Sequence, residues 1–594
     1  MNRSIILLTS LLLLGCSSFL PQNDTPISSD EIRDHIAYLA SDALEGRKPG
    51  TPGGKAAADY VAEHFKQIGL TPLGQDGFQS FEVVTKVSLG ADNSLTAGKI
   101  MGVPGQDYTP TSFSENASLE AGLVFVGYGF EIDSDTLKWN DYLTADTQDK
   151  WVLILRGSPE TEDNALEFGR HATLRHKLLV ARDHGAAGVV FVSGTKFDEQ
   201  DELIELRIER NFSKSGLPVI HVTRDLADRL LADDENTIAD LEALIDSKMK
   251  PKSFITRQRL AVNIEVVQHE VTTQNVIGVL EGSDPVLKDE YLLVGGHYDH
   301  LGWGGKGSGS RKPDTSAIHN GADDNASGVA AVLEIAEKFA QGSDTPKRSI
   351  IFMAFAAEEM GLLGSKHFTS NPLVKLEQIK QMFNLDMVGR LDDERRILTA
   401  GGTGTAEGME DLLDELASSS LLRLSKTPDG YGPSDHASFY VEDIPVLFFF
   451  TGITEEYHTP GDDLETINIE GEQLIAEFTY DLVLRYADLD ETFIFQEAGP
   501  KGPPKSGKRG KVKMGIIPDF AAADANGFLL GGVVPGGPAA IAGMKKGDVM
   551  VSLEGRSVKN IYDYMGRMAD VKPGMRISVE VLRDGEKLIL IVQL

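Results

Sequence analysis

Five short stretches in the second half of the sequence carry histidines and acidic residues of the kinds that bind divalent metals. Imidazole nitrogen and carboxylate oxygen are ligands that zinc accepts, and two such ions roughly 3.5–4 Å apart can clamp a hydrolytic water and polarise a carbonyl. The pattern therefore predicts a two-metal hydrolase. The stretches are HYDH at 297–300, GADDN at 321–325, AAEEMG at 356–361, NLDMVG at 384–389 and EYHTPGD at 456–462.

These stretches contain enough ligands for two metal ions. Two metals with three protein ligands each need five residues if one carboxylate bridges them, and five are present: His297, Asp324, Glu359, Asp386 and His458. Glu358 is not needed as a ligand and is predicted to take a proton from the bridging water. Asp299 is predicted to orient the imidazole of His297.

Three further residues in these stretches, or in the loop between them, are of types that could bind metal. His300 and His319 are interpreted as loop histidines and not as ligands. Asp323 is a close alternative to Asp324, and the residue types alone do not separate them.

The elements around these stretches predict how the residues meet. Four of the five stretches follow a short apolar run, such as YLLVGG before His297 and KQMFNL before Asp386, and such runs are typical of buried parallel strands. Helical patterns lie between them, as in residues 326–340. Strand and helix in alternation predict an open α/β sheet, whose ligands bind at the carboxyl ends of the strands. One crevice should collect all the metal ligands.

Two segments near these ligands are predicted to border the pocket. The glycine-rich loop at 302–321 should form part of the rim. SDHASF at 434–439 is either a helix start, with Ser434 or Asp435 as the N-cap, or a wall of the pocket.

The order HxD, GADDN, AEE, NLDM and YH resembles the co-catalytic dizinc exopeptidases, which include bacterial leucyl aminopeptidases, glutamate carboxypeptidase and the transferrin receptor. The resemblance covers about residues 27–496. It implies two zinc ions per chain, with Asp324 as the bridge, Glu358 as the general base, Asp299 behind His297, and Tyr457 stabilising an oxyanion. It also implies a mixed, mostly parallel sheet sandwiched by helices.

A change in the pattern of predicted secondary structure within this region indicates an inserted domain. Short strands at loose spacing and one clear helix occupy residues 116–255, and they resemble the β-rich protease-associated domain. The peptidase domain would then comprise residues 27–115, with two amphipathic helices, and the catalytic part at 256–496. The insert is either a lid or substrate-selecting wall, or an inert spacer.

The C-terminal region is predicted to be a separate domain. Residues 497–511 form a proline-, glycine- and lysine-rich linker. Residues 512–594 resemble a PDZ domain, whose carboxylate-binding loop would fall on Met514, Gly515 and Ile516 and capture a chain terminus by strand addition. The alternative is a stabilising accessory without a peptide ligand. The linker predicts a tethered domain that need not dock.

The N-terminal sequence predicts a lipid anchor. Residues 1–16 contain one basic residue and an apolar stretch too short to span a bilayer, which indicates a signal peptide. LLGC resembles a lipobox, so Cys16 would be lipidated and residues 17–26 would be a tether in the bacterial envelope, with Ser17 favouring the outer membrane. The alternative is an ordinary cleaved signal with an incidental cysteine. Cys16 is the only cysteine, which excludes disulfides and Cys-based metal sites.

Charge and motifs together limit the function. The 594 residues include 90 acidic and 57 basic residues, and a net charge of −33 argues against nucleic acid as a partner. We expect a metallopeptidase, and most specifically an aminopeptidase acting on peptides outside the cytoplasm. A carboxypeptidase or dipeptidase on the same metals is the alternative among enzymes. A non-catalytic receptor or scaffold is the alternative from another class.

Overall fold

Short apolar runs closed by polar residues form the centre of a nine-stranded sheet, which we call the large sheet. Its four central strands are mutually parallel, and antiparallel strands flank them on both sides. The sheet is therefore mixed, as predicted. In spatial order the strands are Thr71–Pro72, Val266–Leu280, Ser349–Phe355, Tyr291–His297, Ile379–Leu385, Val446–Phe450, Ile397–Gly401 and Arg423–Thr427, with Phe78–Leu89 also paired to Val266–Leu280.

Helices cover both faces of the large sheet and bury its apolar side chains in two clusters. The first helix shows the pattern: Ile32, Ile36 and Leu39 form one stripe and are completely buried, and Ser28 caps the helix by accepting from Glu31 N. Both predicted N-terminal helices are present. The helices are Ser29–Leu39, Pro52–Gln67, Gly328–Gln341, Leu363–Ser370, Met409–Ala417, His436–Val441 and Ile469–Ala487.

The inserted region folds around its own eight-stranded sheet, the insert sheet. That sheet starts at Ser94 and ends at Ile264, so the predicted boundaries of 116–255 are too narrow. The reason is that Ser253–Ile264 continues directly into the long strand of the large sheet at Val266. The strands, in spatial order, are Ile100–Gly102, Ser94–Ala97, Ser253–Ile264, Ala117–Val126, Trp151–Leu155, Gly188–Val192, Val219–Val222 and Tyr108–Pro110.

In its described residues, the insert also holds four α-helices and a short hairpin outside its sheet. The helix predicted from HATLRHKLLVARDHG is present as Leu174–Asp183. The other helices are Ala165–His171, Arg224–Leu231 and Ile238–Lys248, and the hairpin strands are Glu131–Asp133 and Lys138–Asn140.

The C-terminal region forms a third sheet with a separate core. A helix occupies Ile561–Ala569, where one was predicted, and a shorter one lies at Pro538–Ile541. The strands are Ile516–Pro518, Phe528–Val533, Val549–Leu553, Arg556–Ser557, Arg576–Arg583 and Glu586–Gln593.

The C-terminal domain is docked on the insert through two helices, Ile561–Ala569 and Leu174–Asp183. Arg182 pairs with Asp563, and Asp183 pairs with Arg567, all four side chains being mostly buried. The helices approach closely at Gly566, where a Cβ atom would lie 2.5 Å from the side chain of Leu179. This domain is therefore docked and not merely tethered, because contacts remote in sequence hold it.

The computed structural model describes residues 26–594 except 135, 160–164, 209–213, 500, 502–512, 519–526, 535, 570 and 573. The predicted signal peptide, the lipidation site Cys16 and nearly all of the tether lie outside the described residues. Within the described part of the chain, no helix is long and apolar enough to cross a bilayer.

Candidate metal centre

The predicted ligands come together at the carboxyl ends of the parallel strands. His297 ends the strand Tyr291–His297, which lies between the strands that precede Glu359 and Asp386. The backbone turns sharply beside these groups: Ala357, Met387 and His458 all have φ between 53° and 57°. Non-glycine residues adopt this left-handed conformation at a cost, and it persists where the surrounding structure enforces it.

The first group of ligand atoms surrounds the ring of His297. Its Nε2 lies 3.3 Å from Asp324 Oδ1 and 3.5 Å from Asp386 Oδ1. Nδ1 lies 3.1 Å from the backbone carbonyl of Asp299, to which it donates in the tautomer that leaves Nε2 free for a metal.

The second group shares Asp324. His458 Nε2 lies 3.1 Å from Asp324 Oδ2 and 3.2 Å from Glu359 Oε2, and its Nδ1 lies 3.1 Å from the carbonyl of Gly309. The five predicted ligands therefore form two groups joined by one carboxylate. Asp324, and not Asp323, is the aspartate that faces the imidazoles.

His300 also lies at this centre, although the sequence interpretation took it for a loop histidine and not a ligand. Its Nδ1 lies 2.8 Å from Glu359 Oε1 and 3.8 Å from Asp324 Oδ2, and the side chain is completely buried. The signal was its position three residues after His297 in one motif. His319 lies further away, 6.5 Å between its ring centroid and that of His300.

The donor set suits divalent zinc. Two sets of ligand atoms each lie within 4.8 Å of one another, His297 with Asp324 and Asp386, and His300 with Asp324 and Glu359. Nitrogen and oxygen donors in this mixture are those zinc binds in hydrolases. His458 adds a further nitrogen to the second set.

Asp299 acts differently from the prediction. Its carboxylate lies 3.8 Å from His297 Nδ1, beyond hydrogen-bond distance, while Oδ1 accepts from the backbone N–H of Glu358 at 3.0 Å. Asp299 therefore orients His297 through its carbonyl and orients the Glu358–Glu359 turn through its carboxylate. The Glu358 carboxylate itself comes within 3.9 Å of His297 Nε2.

Two acidic residues hold the turn that carries Asp324. Asp462 accepts from the backbone N–H groups of Asp323 and Asp324 at 2.9 and 3.0 Å. Asp323 accepts from the backbone N–H of Gly389 at 2.9 Å. Asp462 lies four residues after His458 in the same motif, and that position was the signal in the sequence that could have identified it.

Burial and close charges shift the pKa values of Glu358 and His458 at this centre. Burial raises the pKa of Glu358 well above its usual value, against the attraction of His297. Burial lowers the pKa of His458, but its hydrogen bonds to Asp324 and Glu359 prevail and raise this pKa to about 10. Zinc binding must therefore displace protons from imidazoles.

Tyr457 lies beside the second group, with its ring stacked on His458 at a centroid distance of 3.9 Å. Burial and the nearby carboxylates, Asp324 first, raise its pKa above the usual value, so its hydroxyl keeps a proton to donate. The loop at 302–321 borders the site as predicted, since Gly309 contacts His458 and Arg311 N donates to His458 O at 2.9 Å.

The SDHASF segment contains the start of a helix, which was one of its two predicted alternatives. A helix spans His436–Val441 with Asp435 at the N-cap position, but no side chain caps it. Ser434 Oγ accepts from Asn384 Nδ2 at 2.8 Å. Asp435 is completely buried. Burial raises the pKa of its carboxyl, against the attraction of His297, which lowers it.

The predicted PDZ loop lies at the start of the third sheet. Gly515 has φ of 77°, and Met514 O accepts from Ala539 N at 2.8 Å. The strand Ile516–Pro518 pairs with Phe528–Val533 and is the edge strand of its sheet among the described residues. Its free edge is of the kind that peptide termini extend.

Comparisons with known proteins find two matching family models and several relatives. A family model described as "Peptidase family M28" matches residues 275–483, and one described as "PDZ domain" matches residues 519–594. Aminopeptidase YwaD from Bacillus subtilis (strain 168) is 25% identical over 464 residues, covering 76% of this chain and 83% of that protein.

The names of two further matches include zinc. A "Probable zinc metalloprotease" from Pyrenophora teres f. teres (strain 0-1) is 42% identical over 120 residues, which cover 20% of this chain and 23% of that relative. The solved structure of BSAP, a zinc aminopeptidase from Bacillus subtilis, is 22% identical with a TM-score of 0.44, covering 78% of this chain and 95% of that one.

Proposed function

This chain belongs to peptidase family M28 and ends in a PDZ domain, and from that premise we propose that it is an aminopeptidase with two zinc ions per chain. The observation that carries the proposal is the pair of ligand groups joined by Asp324. A bridging carboxylate between two mixed nitrogen and oxygen sets is what a two-metal hydrolytic site needs. The match to Aminopeptidase YwaD, which extends over most of both chains, supports cleavage at the amino end of peptides.

Bound zinc would supply Lewis-acid polarisation of the scissile carbonyl and a more acidic water. Glu358 takes the proton from the attacking water and passes it to the leaving amine, a role that suits a carboxylate whose pKa is raised by burial. The Tyr457 hydroxyl donates to the oxygen on which negative charge develops. Asp299 and Asp462 hold the backbone turns that carry Glu358 and Asp324.

The test uses purified protein with aminoacyl chromogenic substrates, with and without a chelator. We expect cleavage that the chelator abolishes and added zinc restores, and elemental analysis should give two zinc ions per chain. Peptides blocked at the amino end should resist cleavage, and peptides blocked at the carboxyl end should be cleaved. The reverse preference would identify a carboxypeptidase. Zinc binding with no cleavage of either set would favour the receptor or scaffold.

We further propose that the mature chain is anchored by lipid on Cys16 in the bacterial envelope, most specifically the outer membrane. The lipobox-like LLGC and the absence of another cysteine support this, and multiple acyl chains anchor a protein stably where one is marginal. Cys16→Ala should release the chain from membranes or leave its signal uncleaved. Unchanged membrane fractionation together with an unmodified mass of the wild-type protein would contradict the anchor.

The two accessory domains have proposed roles in handling peptides. The loop Met514–Gly515–Ile516 with its open edge strand supports capture of a peptide carboxyl terminus. The insert, which resembles a protease-associated domain, is proposed to limit which peptides reach the metal centre. Titration of the purified protein with a labelled peptide, with free or amidated carboxyl terminus, tests the first role, since amidation should abolish binding.

A further inference from the structure

Arg47 is a completely buried arginine close to the metal centre that none of the roles above uses. Its guanidinium donates four hydrogen bonds, and all four acceptors are backbone carbonyls. Nε donates to Tyr298 O at 2.7 Å, Nη2 to Gly321 O at 2.9 Å, and Nη1 to Leu39 O and Asn320 O at 2.5 Å each. Among the described residues, no carboxylate lies within salt-bridge distance of it.

Three of these carbonyls belong to the two turns that carry metal ligands. Tyr298 follows His297, and Asn320 and Gly321 lead into the turn that holds Asp324. One rigid, planar side chain therefore links the end of a strand to the start of the bridging turn. A guanidinium suits this task because its donors point in fixed directions.

The charge of Arg47 also acts on the centre. Burial lowers its pKa to about 10, and Asp324, Asp462 and Asp299 act in the opposite direction. Arg47 thus stays positively charged at neutral pH. Burying an unpaired guanidinium is costly, so its negative surroundings offset part of that cost.

The backbone at Arg47 has an unusual conformation at the point where its side chain enters the region of the metal centre. Glu45, Gly46 and Arg47 are consecutive residues with φ of 47°, 70° and 50°. A Cβ atom on Gly46 would lie 2.4 Å from the carbonyl of His319 and 2.9 Å from Gly302. Strained backbone of this kind is maintained where a site depends on it.

We propose that Arg47 is a positioning residue that fixes the spacing between the turns of His297 and Asp324, and thereby sets zinc affinity and turnover. This inference rests on the proposed function. The hydrogen bonds of Arg47 go to backbone carbonyls and not to ligand atoms, so it acts through the carbonyls it holds. Its removal should therefore change how well the ligands converge more than how substrate binds.

Arg348 provides a matched control at the opposite end of the central strands. It is 1% exposed, and it donates to the carbonyls of Ala487 and Leu489 and, at 2.8 Å, to Glu290. It precedes the strand Ser349–Phe355, whereas the metal centre lies after that strand. A loss caused only by disturbing a buried arginine should appear equally in both variants.

The experiment compares Arg47→Met and Arg348→Met with the wild-type full-length protein. Zinc affinity is measured by competition with a chromophoric chelator, and kcat and KM are measured on an aminoacyl dye substrate. For Arg47→Met we expect zinc affinity to fall about 10–100-fold, with kcat lowered and KM nearly unchanged. Arg348→Met should keep wild-type zinc affinity while melting at a lower temperature.

Arg47→Lys covers the case in which Arg47→Met does not fold. Lysine keeps the charge but cannot span both turns, so its zinc affinity should lie between those of the wild type and the methionine variant. Wild-type zinc affinity in Arg47→Lys and Arg47→Met, or equal losses in Arg348→Met, would overturn the proposal. If the wild-type protein binds zinc but cleaves nothing, the proposed function fails while the zinc titrations still decide the role of Arg47.

Discussion

Buried charged side chains cluster both at the metal centre and at the interface between the insert and the PDZ domain, and the two arrangements differ. At the metal centre, carboxylates from Asp324, Glu359 and Asp386 converge on imidazoles, and Glu358 adds another acid. At the interface between the insert and the PDZ domain, each arginine faces an aspartate, Arg182 with Asp563 and Arg567 with Asp183. The first cluster has an excess of acids and several atoms aimed at the same space. The second is neutral by itself.

The difference explains what each cluster does. Like charges held together out of water are unfavourable unless a cation joins them, so the first arrangement is built to bind metal. Opposite charges in pairs satisfy one another, so the second fastens two domains. Burial alone does not distinguish a functional cluster from a structural one. The two kinds of cluster are distinguished by the signs of their charges and by whether the charged atoms point at one shared space.

Glu358→Gln should have the largest effect on catalysis. It should show that one acid of the first cluster transfers a proton while the others bind metal. An amide cannot carry a proton, so turnover should fall about 10²–10⁴-fold. Both zinc ions should remain, because Glu358 is not one of the proposed ligands. Turnover is measured beside metal content by elemental analysis. Normal turnover in this variant would refute the assignment of the base.

Glu359→Gln should damage the same cluster by a different route. A neutral amide in place of a ligand should weaken zinc binding at the second group by more than the loss of about 10–100-fold that is typical of residues that only orient a ligand. Activity should recover in part when zinc is added in excess, which it should not do for Glu358→Gln. The readout is turnover as a function of zinc concentration. A variant that keeps both ions while Glu358→Gln loses metal would exchange the two roles.

Arg567→Asp should break the second cluster and leave the first intact. It places two aspartates together, and losing one partner of a buried pair costs about 3–5 kcal/mol, so the PDZ domain should undock. Limited proteolysis of the linker should become faster, while cleavage of a small dye substrate stays unchanged. The reversed pair, Asp183→Arg with Arg567→Asp, should restore docking. Slow proteolysis of the single variant would show that other contacts dominate.

Removal of residues 502–594 should have the smallest effect on small substrates. All proposed ligands precede this point, and the cut preserves Ala498 and Gly499, whose carbonyls accept from the Tyr440 hydroxyl at 2.8 Å. Dye cleavage should therefore remain near that of the full chain, whereas longer peptides should be cleaved more slowly if the PDZ domain captures them. Loss of zinc from a folded truncated protein would mean that the clusters are not independent.

The sequence by itself determined the ligand types and the elements that carry them. His297, Asp324, Glu359, Asp386 and His458 were identifiable because each lies in a short motif, all but that of Asp324 follow an apolar strand, and strand ends of a parallel sheet share one edge. The helix Ile561–Ala569 and the N-terminal helices followed from local apolar spacing. Local patterns of this kind are set by the period of helix and strand.

Only the tertiary structure decided which other residues complete the site and where the PDZ domain lies. Arg47 meets Tyr298 across 251 residues, and Arg182 meets Asp563 across 381. His300 and Asp299 gained their partners from the turn at Glu358–Glu359, 59 residues away. Such contacts leave no periodic trace in the sequence, because they depend on how separate elements pack and not on the repeat of any one element.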